Sequence, residues 1–374
     1  MSRAVDKLLA KLEKQYNQDN MPKSVLRASE IEPYQTFSTG SLSLDYAIGI
    51  GGLPTNRVVE IAGAPGAGKT TLVLHTVNNA LKMNKDKIAV YLDIENRLTS
   101  DWVAAFVEDV DRVIVLRPDH MEQATDMYVE AVQTGEVCIA VLDSIGGAPT
   151  QRVVNKSATI GDMGGNALSV GRFSRFAQTY SGKYNCCTIG INQIREDMEG
   201  YNRLQTPGGQ AWKHAVSLRI ELKKGKGKVY DKIGGETLQV GYSVIAKIHK
   251  NSLAAPYRSS SYWFYNINSK YGFGVDKTHE LVNLAYLTGI LENPTSGSYV
   301  HHSFDTKDNK IRGWDSVMSY VMENEKVASV IEKEVMETLA KGETSGITST
   351  FSEDESSELV DSIVDVDNKR APLE

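Results

Sequence analysis

The segment Gly63-Ala-Pro-Gly-Ala-Gly68-Lys69-Thr70 sets three glycines, a lysine and a hydroxyl at the spacing G-x-x-x-x-G-K-T. Small residues let successive backbone N–H groups turn toward one point, and a helix opening at the lysine adds the positive end of its dipole. Such a cradle suits an anion with several phosphate oxygens. The pattern carries weight where a strand precedes it and a helix follows. Here Val58–Ala62 is rich in β-branched residues, and Thr70–Met83 is apolar at helical spacing. Gly63, Ala64, Pro65, Gly66, Ala67, Gly68 and Thr71 are expected to surround the phosphates, with Lys69 reaching the terminal ones and the Thr70 hydroxyl ligating Mg²⁺. ATP and Mg²⁺ are the expected cofactors.

A triphosphate site also needs acids and a polar sensor. Cys138-Ile-Ala-Val-Leu-Asp143 is an apolar strand ending in a carboxylate, placed to hold the metal directly or through water. Tyr91-Leu-Asp93-Ile-Glu95 ends another strand. Glu95 is the expected base for water, while Asp93 is the rival base or a cap for the following turn. Asn192-Gln193 closes a third strand, where a neutral amide can feel a terminal phosphate and pass its presence onward; ordinary loop hydrogen bonding is the other reading.

These groups need a scaffold that brings strand ends together. Strands are expected at Val58–Ala62, Ile88–Asp93, Val113–Leu116, Val137–Asp143 and Thr188–Asn192, alternating with helices at Thr70–Met83, Met121–Thr134 and near Ala167–Ser181. That alternation predicts a parallel sheet covered by helices. Val216–Leu222, Val240–Lys250 and Tyr262–Ile267 then follow without intervening helices, as in an antiparallel extension. Helices near Thr278–Thr288 and Glu325–Leu339 belong to a small α+β unit, and residues 3–17 form an amphipathic helix that must dock on its own core or on a neighbouring subunit. The expected domains are 1–34 (helix and linker), 35–269 (α/β P-loop NTPase core), 270–341 (α+β) and 342–374 (linker and acidic tail).

Charge is unevenly spread. The net charge of -6 is carried by the tail: from Phe351 onward Glu353, Asp354, Glu355, Glu358, Asp361, Asp365, Asp367 and Glu374 face only Lys369 and Arg370. Such a tail is either solvated and disordered or a detachable polyanion mimic that competes for a basic surface. Three cysteines at Cys138, Cys186 and Cys187 give neither a disulfide framework nor zinc spacing, so a reducing cytoplasm is expected. The longest apolar runs are too short to span a bilayer, so no membrane partner is expected.

Two long Gly-bearing stretches without periodicity, from Arg152 to Gly165 and from Arg195 to Gly209, follow the strands that end in Asp143 and Gln193. Each carries cations, Arg203 among them, and apolar tips: Met163 in the first, Met198 and Tyr201 in the second. Cations hold phosphates and apolar side chains wedge between bases, so a nucleic acid competes with a plain surface loop. Lys223, Lys224, Lys226 and Lys228, with Lys213, Lys232 and Lys247, form a third basic element, which a solvated hairpin would also explain.

At this point the chain resembles the RecA family. Phe37-Ser-Thr-Gly-Ser-Leu-Ser-Leu-Asp45, Gly51-Gly-Leu-Pro54, the phosphate loop with Thr70-Thr71, Leu142-Asp143-Ser144, Ile191-Asn-Gln-Ile-Arg195 and Lys250-Asn-Ser-Leu-Ala-Ala-Pro256 recur in that order across residues 3 to 340. The resemblance implies a RecA-like core and DNA strand exchange by a helical, ATP-dependent filament on single-stranded DNA, with double-stranded DNA as the second partner. Single-stranded-DNA-binding and loader proteins are candidate partners besides. It implies that Glu95 is the catalytic carboxylate, Gln193 the γ-phosphate sensor, Trp102 an adenine stack and Lys250 a cation supplied to a neighbour's ATP. Met163 and Gly164 resemble the first loop's insertion point; Arg175, Arg195, Gly208 and Gly209 match positions that contact the DNA backbone. The lysine row matches a secondary DNA site, the surface that the acidic tail would oppose.

There are departures. Ser252 stands where the family has a second lysine, which weakens activation in trans or leaves it to a residue such as Arg258. His214 replaces a phenylalanine beyond the second loop, and Glu196, Asp197 and Glu199 make that loop acidic. The divergence suggests a distant branch rather than a typical bacterial member; a viral origin would place the protein in a host cytoplasm. Two other readings stay open: a hexameric ring helicase or motor on the same core, and a regulatory DNA-binding protein that binds ATP without turnover.

Overall fold

The computed structural model describes residues 3–17, 23–154, 165–194, 206–269 and 272–341. Met163, Gly164, Arg195, Met198, Tyr201, Arg203 and the acidic tail lie outside the described residues. In chain order the elements begin α1 (Arg3–Tyr16), β1 (Thr36–Phe37), α2 (Leu42–Ile48), β2 (Leu53–Pro54), β3 (Val58–Gly63), α3 (Lys69–Met83) and β4 (Ile88–Asp93). There follow α4 (Ser100–Ala104), β5 (Val113–Leu116), α5 (Met121–Gln133), β6 (Val137–Asp143), α6 (Gln151–Val154), α7 (Gly165–Tyr184), β7 (Cys187–Gln193) and α8 (Gly209–Ala215). Next come β8 (Leu218–Ile233), β9 (Glu236–Asn251), β10 (Ser259–Ser269), β11 (Gly272–Val275) and α9 (Lys277–Leu287). The last are β12 (Glu292–Thr295), β13 (Ser298–Val300), β14 (Lys310–Arg312), α10 (Trp314–Glu323) and α11 (Glu325–Lys341).

These elements divide into two compact units. The first comprises Met1–Ser38, Ile50–Glu221 and His249–Pro256; the second comprises Thr39–Gly49, Leu222–Ile248 and Tyr257–Glu374.

In the first unit the parallel strands lie in the order β5-β4-β6-β7-β3. β3 is buried along its whole length, and β6 and β7 in all but the last residue, which explains their near-continuous apolar runs. β3 reaches β4 through α3, so in space β7 and β6 lie between two strands that are consecutive in sequence. Parallel strands point their C-terminal ends the same way, and the register does the rest: Gly63 pairs with Gln193, and Asp93 with Asp143. One edge of the sheet therefore collects the chemistry. Val170, Phe173 and Ala177 of α7, Tyr128 of α5 and Trp212 of α8 fill the core beside these strands. A methyl group added at Gly190 of β7 would lie 2.3 Å from the Trp212 ring, so this strand position requires a glycine.

In the second unit β8, β9, β10 and β11 neighbour one another in that order, and β9–β10 and β10–β11 pair antiparallel. β8 turns into β9 through Gly234 and Gly235, both at positive φ (62° and 91°), the conformation of a two-residue hairpin turn. The Lys-Gly alternation of β8 now has a reason. Gly225 and Gly227 face Ser243 and Trp263, whose atoms would meet an added methyl at 2.2 and 2.6 Å, while Lys224, Lys226 and Lys228 project to the exposed face. A second core joins α9, α10 and α11 through Leu281, Val282, Val317, Val321, Ile331 and Val335.

Part of the serine-rich segment after Phe37 is structural. Asp45 accepts from the Thr39 backbone N–H (2.9 Å) and hydroxyl (2.7 Å), and Ser41 caps α2 by accepting from Leu44 N–H. Ser41 and Ser43 donate to Oε1 of the buried Glu280 on α9 at 2.7 and 2.5 Å. Burial raises the Glu280 carboxyl to about 8, and the two serine bonds offset that only in part.

Candidate functional site

β3 ends at Gly63 and α3 begins at Lys69, so the loop between them spans a strand end and a helix start. Gly66 and Gly68 take φ of 72° and 86°, and Gly68 is the N-cap of α3. A side chain would strain both turns, which is why glycine stands there. The Lys69 ammonium folds back over the loop and donates to the carbonyls of Gly63 (2.8 Å) and Ala64 (2.9 Å). Burial lowers its pKa, while Asp143 and Glu95 pull the other way. A phosphate would offer this ammonium charged acceptors in place of neutral carbonyls.

Thr70 Oγ1 stands 3.4 Å from Asp143 Oδ2, and the same oxygen accepts from the Tyr91 hydroxyl at 2.7 Å. The Asp143 carboxyl is raised above its ordinary value chiefly by burial, opposed by the Tyr91 bond; Glu95 and Asp93 raise it further. A buried carboxylate with two further acids beside it leaves a demand for positive charge. A divalent cation between the Thr70 hydroxyl and Asp143 meets it, so this donor set fits Mg²⁺.

Glu95 lies just past β4. Its Oε1 accepts from Ser144 Oγ (2.5 Å) and from Gln193 Nε2 (3.1 Å), and its Oε2 pairs with the exposed Arg97 guanidinium at 2.8 Å. The expected base and the expected sensor are thus hydrogen-bonded to each other. Asp93 instead accepts from the backbone N–H groups of Arg97 (3.1 Å) and Leu98 (3.0 Å), so it caps the turn that carries Glu95. An added methyl at Gly147 would stand 2.9 Å from Ser144 Oγ and 3.1 Å from Glu95 Oε1, so this corner admits no side chain without moving the acid.

A second chain of polar groups leaves from Asn192. Its amide donates to Glu60 Oε1 (2.7 Å) and to the Pro207 carbonyl (2.9 Å). Glu60 is fully buried, and Arg219 lies with Nε 2.7 Å from its other oxygen. Arg219 also donates to Thr206 Oγ1 at 2.5 Å. Thr206 and Pro207 close the second long loop, and Gly208 and Gly209, at φ 111° and 69°, open α8. Lys250 ties the other end of α8 by donating to the carbonyls of Lys213 (2.9 Å) and His214 (3.2 Å). Burial lowers its pKa, with Arg219 acting in the same direction.

The remaining expected residues are more dispersed. Trp102 is half-buried on α4 and meets Phe106 edge to face with centroids 5.3 Å apart. Arg175 is exposed on α7, and Lys213 is half-buried on α8. In the second unit Lys223, Lys224, Lys226, Lys228 and Lys232 are exposed on β8, Lys247 is half-buried on β9, and Lys224 sits over the Tyr242 ring (4.7 Å). Arg258 lies over the Tyr46 ring at 4.6 Å. Ser144, Tyr91, Arg97, Glu60 and Arg219 were not assigned roles from the sequence. Ser144 sits inside a recognised motif and Tyr91 two residues before Asp93, so a signal existed for these two. Glu60 and Arg219 reach the site only through folding.

The model of the RecA N-terminal domain matches residues 3–275. Protein RecA of Cereibacter sphaeroides is 32% identical over 339 residues, covering 89% of this chain and 93% of that protein. Protein RecA of Nitratiruptor sp. is 32% identical over 337 residues, 89% and 92% of the two chains, and that of Acinetobacter baylyi is 31% identical over 343 residues, 90% and 92%. No helix among the described residues is long and apolar enough to cross a membrane. Likeness of this extent, running through both the phosphate loop and the strands that face it, makes this chain a member of the RecA family, the DNA-dependent ATPases of homologous recombination.

Proposed function

We propose that this chain assembles with ATP and Mg²⁺ into a helical filament on single-stranded DNA, pairs that strand with homologous duplex and exchanges the strands. One observation supports the reading most. Glu95, expected to act on water, is bonded to Gln193, and the preceding residue, Asn192, reaches the end of the second long loop directly through the Pro207 carbonyl and also by way of Glu60, its ion pair with Arg219, and Thr206. A group that senses triphosphate and a segment that could hold DNA share one hydrogen-bonded frame. A ring-shaped motor has no specific observation in its favour.

In the mechanism this geometry supports, Lys69 exchanges its two loop carbonyls for oxygens of the terminal phosphates. Thr70 and Asp143 would hold Mg²⁺, which supplies positive charge against the charge developing on the transferred phosphoryl group. Gln193 turns from Glu95 toward the γ-phosphate. Glu95 keeps the Ser144 bond and gains a free lone pair with which to take a proton from water. The turn of Gln193 displaces Asn192, and with it the Glu60–Arg219–Thr206 chain at the loop's end.

Assembly has support in α1, where Val5, Leu8 and Tyr16 are exposed on an amphipathic helix. That apolar stripe offers a neighbour a surface to cover. The exposed lysines of β8 suit the phosphates of the second DNA, and accessory single-stranded-DNA-binding and loader proteins in the cytoplasm complete the setting. A joint-molecule assay with ATP tests the reading: homologous duplex should yield paired products and non-homologous duplex none, with filaments visible by electron microscopy. Closed rings, or pairing indifferent to homology, would refute it.

A further inference from the structure

The second unit holds a side-chain cluster that nucleotide and DNA chemistry leaves unused. His301 and His302 follow β13, and Glu334 lies on α11. Adjacent residues in an extended strand point to opposite faces, yet here both imidazoles face the same helix. The turn after β13 is the cause: Phe304 N–H donates to the His301 carbonyl at 3.0 Å, and His301 N–H to the Asn309 carbonyl at 3.2 Å. The imidazole rings come to 4.5 Å between centroids.

Both Nε2 atoms then meet one carboxylate. His301 Nε2 is 3.1 Å from Glu334 Oε2, and His302 Nε2 is 2.6 Å from Oε1. One potential ligand atom from each residue lies within 4.8 Å of the others. A tetrahedral zinc ion with bonds of about 2.0 Å sets neighbouring ligand atoms about 3.3 Å apart. From the present 3.1 and 2.6 Å, the two N–O separations would open by about 0.2 and 0.7 Å to admit one.

The supports are already rigid. His301 is buried, with its ring centroid 5.6 Å from that of the buried Phe304. Glu334 sits on α11 beside the core residues Ile331 and Val335. Ser303 Oγ lies 2.7 Å from His301 Nδ1, so it can accept a hydrogen bond from Nδ1–H and favour the tautomer whose Nε2 is free for a metal. The Ser303 backbone N–H, 3.2 Å from the same nitrogen, favours the opposite tautomer and is the longer contact. His302 is 66% exposed in its side chain, which leaves one side of the cluster open to ions and to water ligands.

We propose that His301, His302 and Glu334 form a transition-metal site, for zinc in the first instance, that fastens the turn after β13 to α11. Imidazole and carboxylate donors together suit Zn²⁺ over Mg²⁺, which takes oxygen ligands and keeps its waters. The site is separate from the phosphate loop and does not depend on the recombination reading.

The test is a zinc titration of the full chain against a chromophoric chelator, in excess Mg²⁺, with His302→Ala and Glu334→Gln beside it. Both substitutions alter side chains that reach solvent, so the variants should fold. The unaltered chain should take up one zinc with micromolar or tighter affinity and melt at a higher temperature with zinc than without. Each variant should bind at least ten-fold more weakly and lose that shift. Lys69→Ala should bind zinc as the unaltered chain does. Equal uptake by the variants would overturn the proposal. So would no uptake by the unaltered chain, which would leave the three groups as a hydrogen-bonded trio.

Discussion

Replacing Arg219 by methionine removes the charge that faces Glu60 while keeping most of the side-chain volume. Glu60 is fully buried and Arg219 is 17% exposed in its side chain, so solvent can do little to screen what is left. Breaking a buried pair by deleting one partner costs about 3–5 kcal/mol, because the surviving charge has no compensation. The lower end applies here. Arg219 Nε is 2.7 Å from Glu60 Oε2 without an aligned hydrogen bond, and Asn192 still holds Oε1 at 2.7 Å. The expected loss is therefore about 3 kcal/mol in urea unfolding of the nucleotide-free chain. The double variant Arg219→Met with Glu60→Gln should recover much of it, since the orphaned charge is then gone. If the frame carries the signal, the double variant should still lose most DNA stimulation of ATP hydrolysis despite its regained stability. A loss below about 1 kcal/mol for the single variant would mean that the pair is screened and the frame loose. Full DNA stimulation in the double variant would remove Arg219 from the coupling.

Lys69→Ala should abolish ATP turnover with and without DNA, measured by phosphate release. Glu95→Gln should lower turnover by about 10²- to 10⁴-fold while filaments still form on single-stranded DNA with ATP; turnover at the unaltered rate would return the base to another residue. Glu280 gives a pH test. Its folded-state value near 8 lies above the ordinary carboxyl value of 4.5, so the folded chain keeps a proton that the unfolded chain releases, and stability falls as pH rises between those two values. Glu280→Gln should therefore gain in melting temperature relative to the unaltered chain as pH rises through that window, and a constant difference would refute the assignment. Removing residues 351–374 should tighten duplex DNA binding, most clearly at low salt; unchanged affinity would leave the tail a solubility role.

The residues gathered at the C-terminal ends of the parallel strands are legible in the sequence because their signals are local. The phosphate loop is one contiguous segment, and buried parallel strands announce themselves as apolar runs, so Val113–Leu116 and Val137–Asp143 emerge at the expected bounds. The sequence pattern places the end of this strand at Leu222, yet β8 continues to Ile233. Lysine and glycine are poor strand formers, and only the approach of Ser243 and Trp263 shows why glycines occupy that stretch. α10 and the short strands β12 to β14 leave little apolar pattern in the sequence because few residues of each are buried. The Glu60–Arg219 pair was unreadable for a different reason: the two residues are far apart in sequence, and a glutamate within an apolar strand gives no sign of its partner.

Lys250 shows how assembly could enter the same frame. In the single chain its ammonium holds the last-turn carbonyls of α8, the helix whose first turn begins at Gly208 and Gly209. A lysine serving a neighbour's triphosphate must release those carbonyls. The release frees the end of α8 opposite the one where Thr206 and Pro207 meet Arg219 and Asn192. Both ends of this short helix would then answer to nucleotide, one through Gln193 in the same chain and the other through Lys250 in the next. With Ser252 in place of a second cation, the trans contribution would fall to this one ammonium unless Arg258 shares it. Lys250→Ala should accordingly lower DNA-stimulated turnover nearly as far as Glu95→Gln does while leaving ATP binding by the isolated chain intact. Turnover that survived that change would detach α8 from the neighbour and leave Lys250 as a helix cap alone.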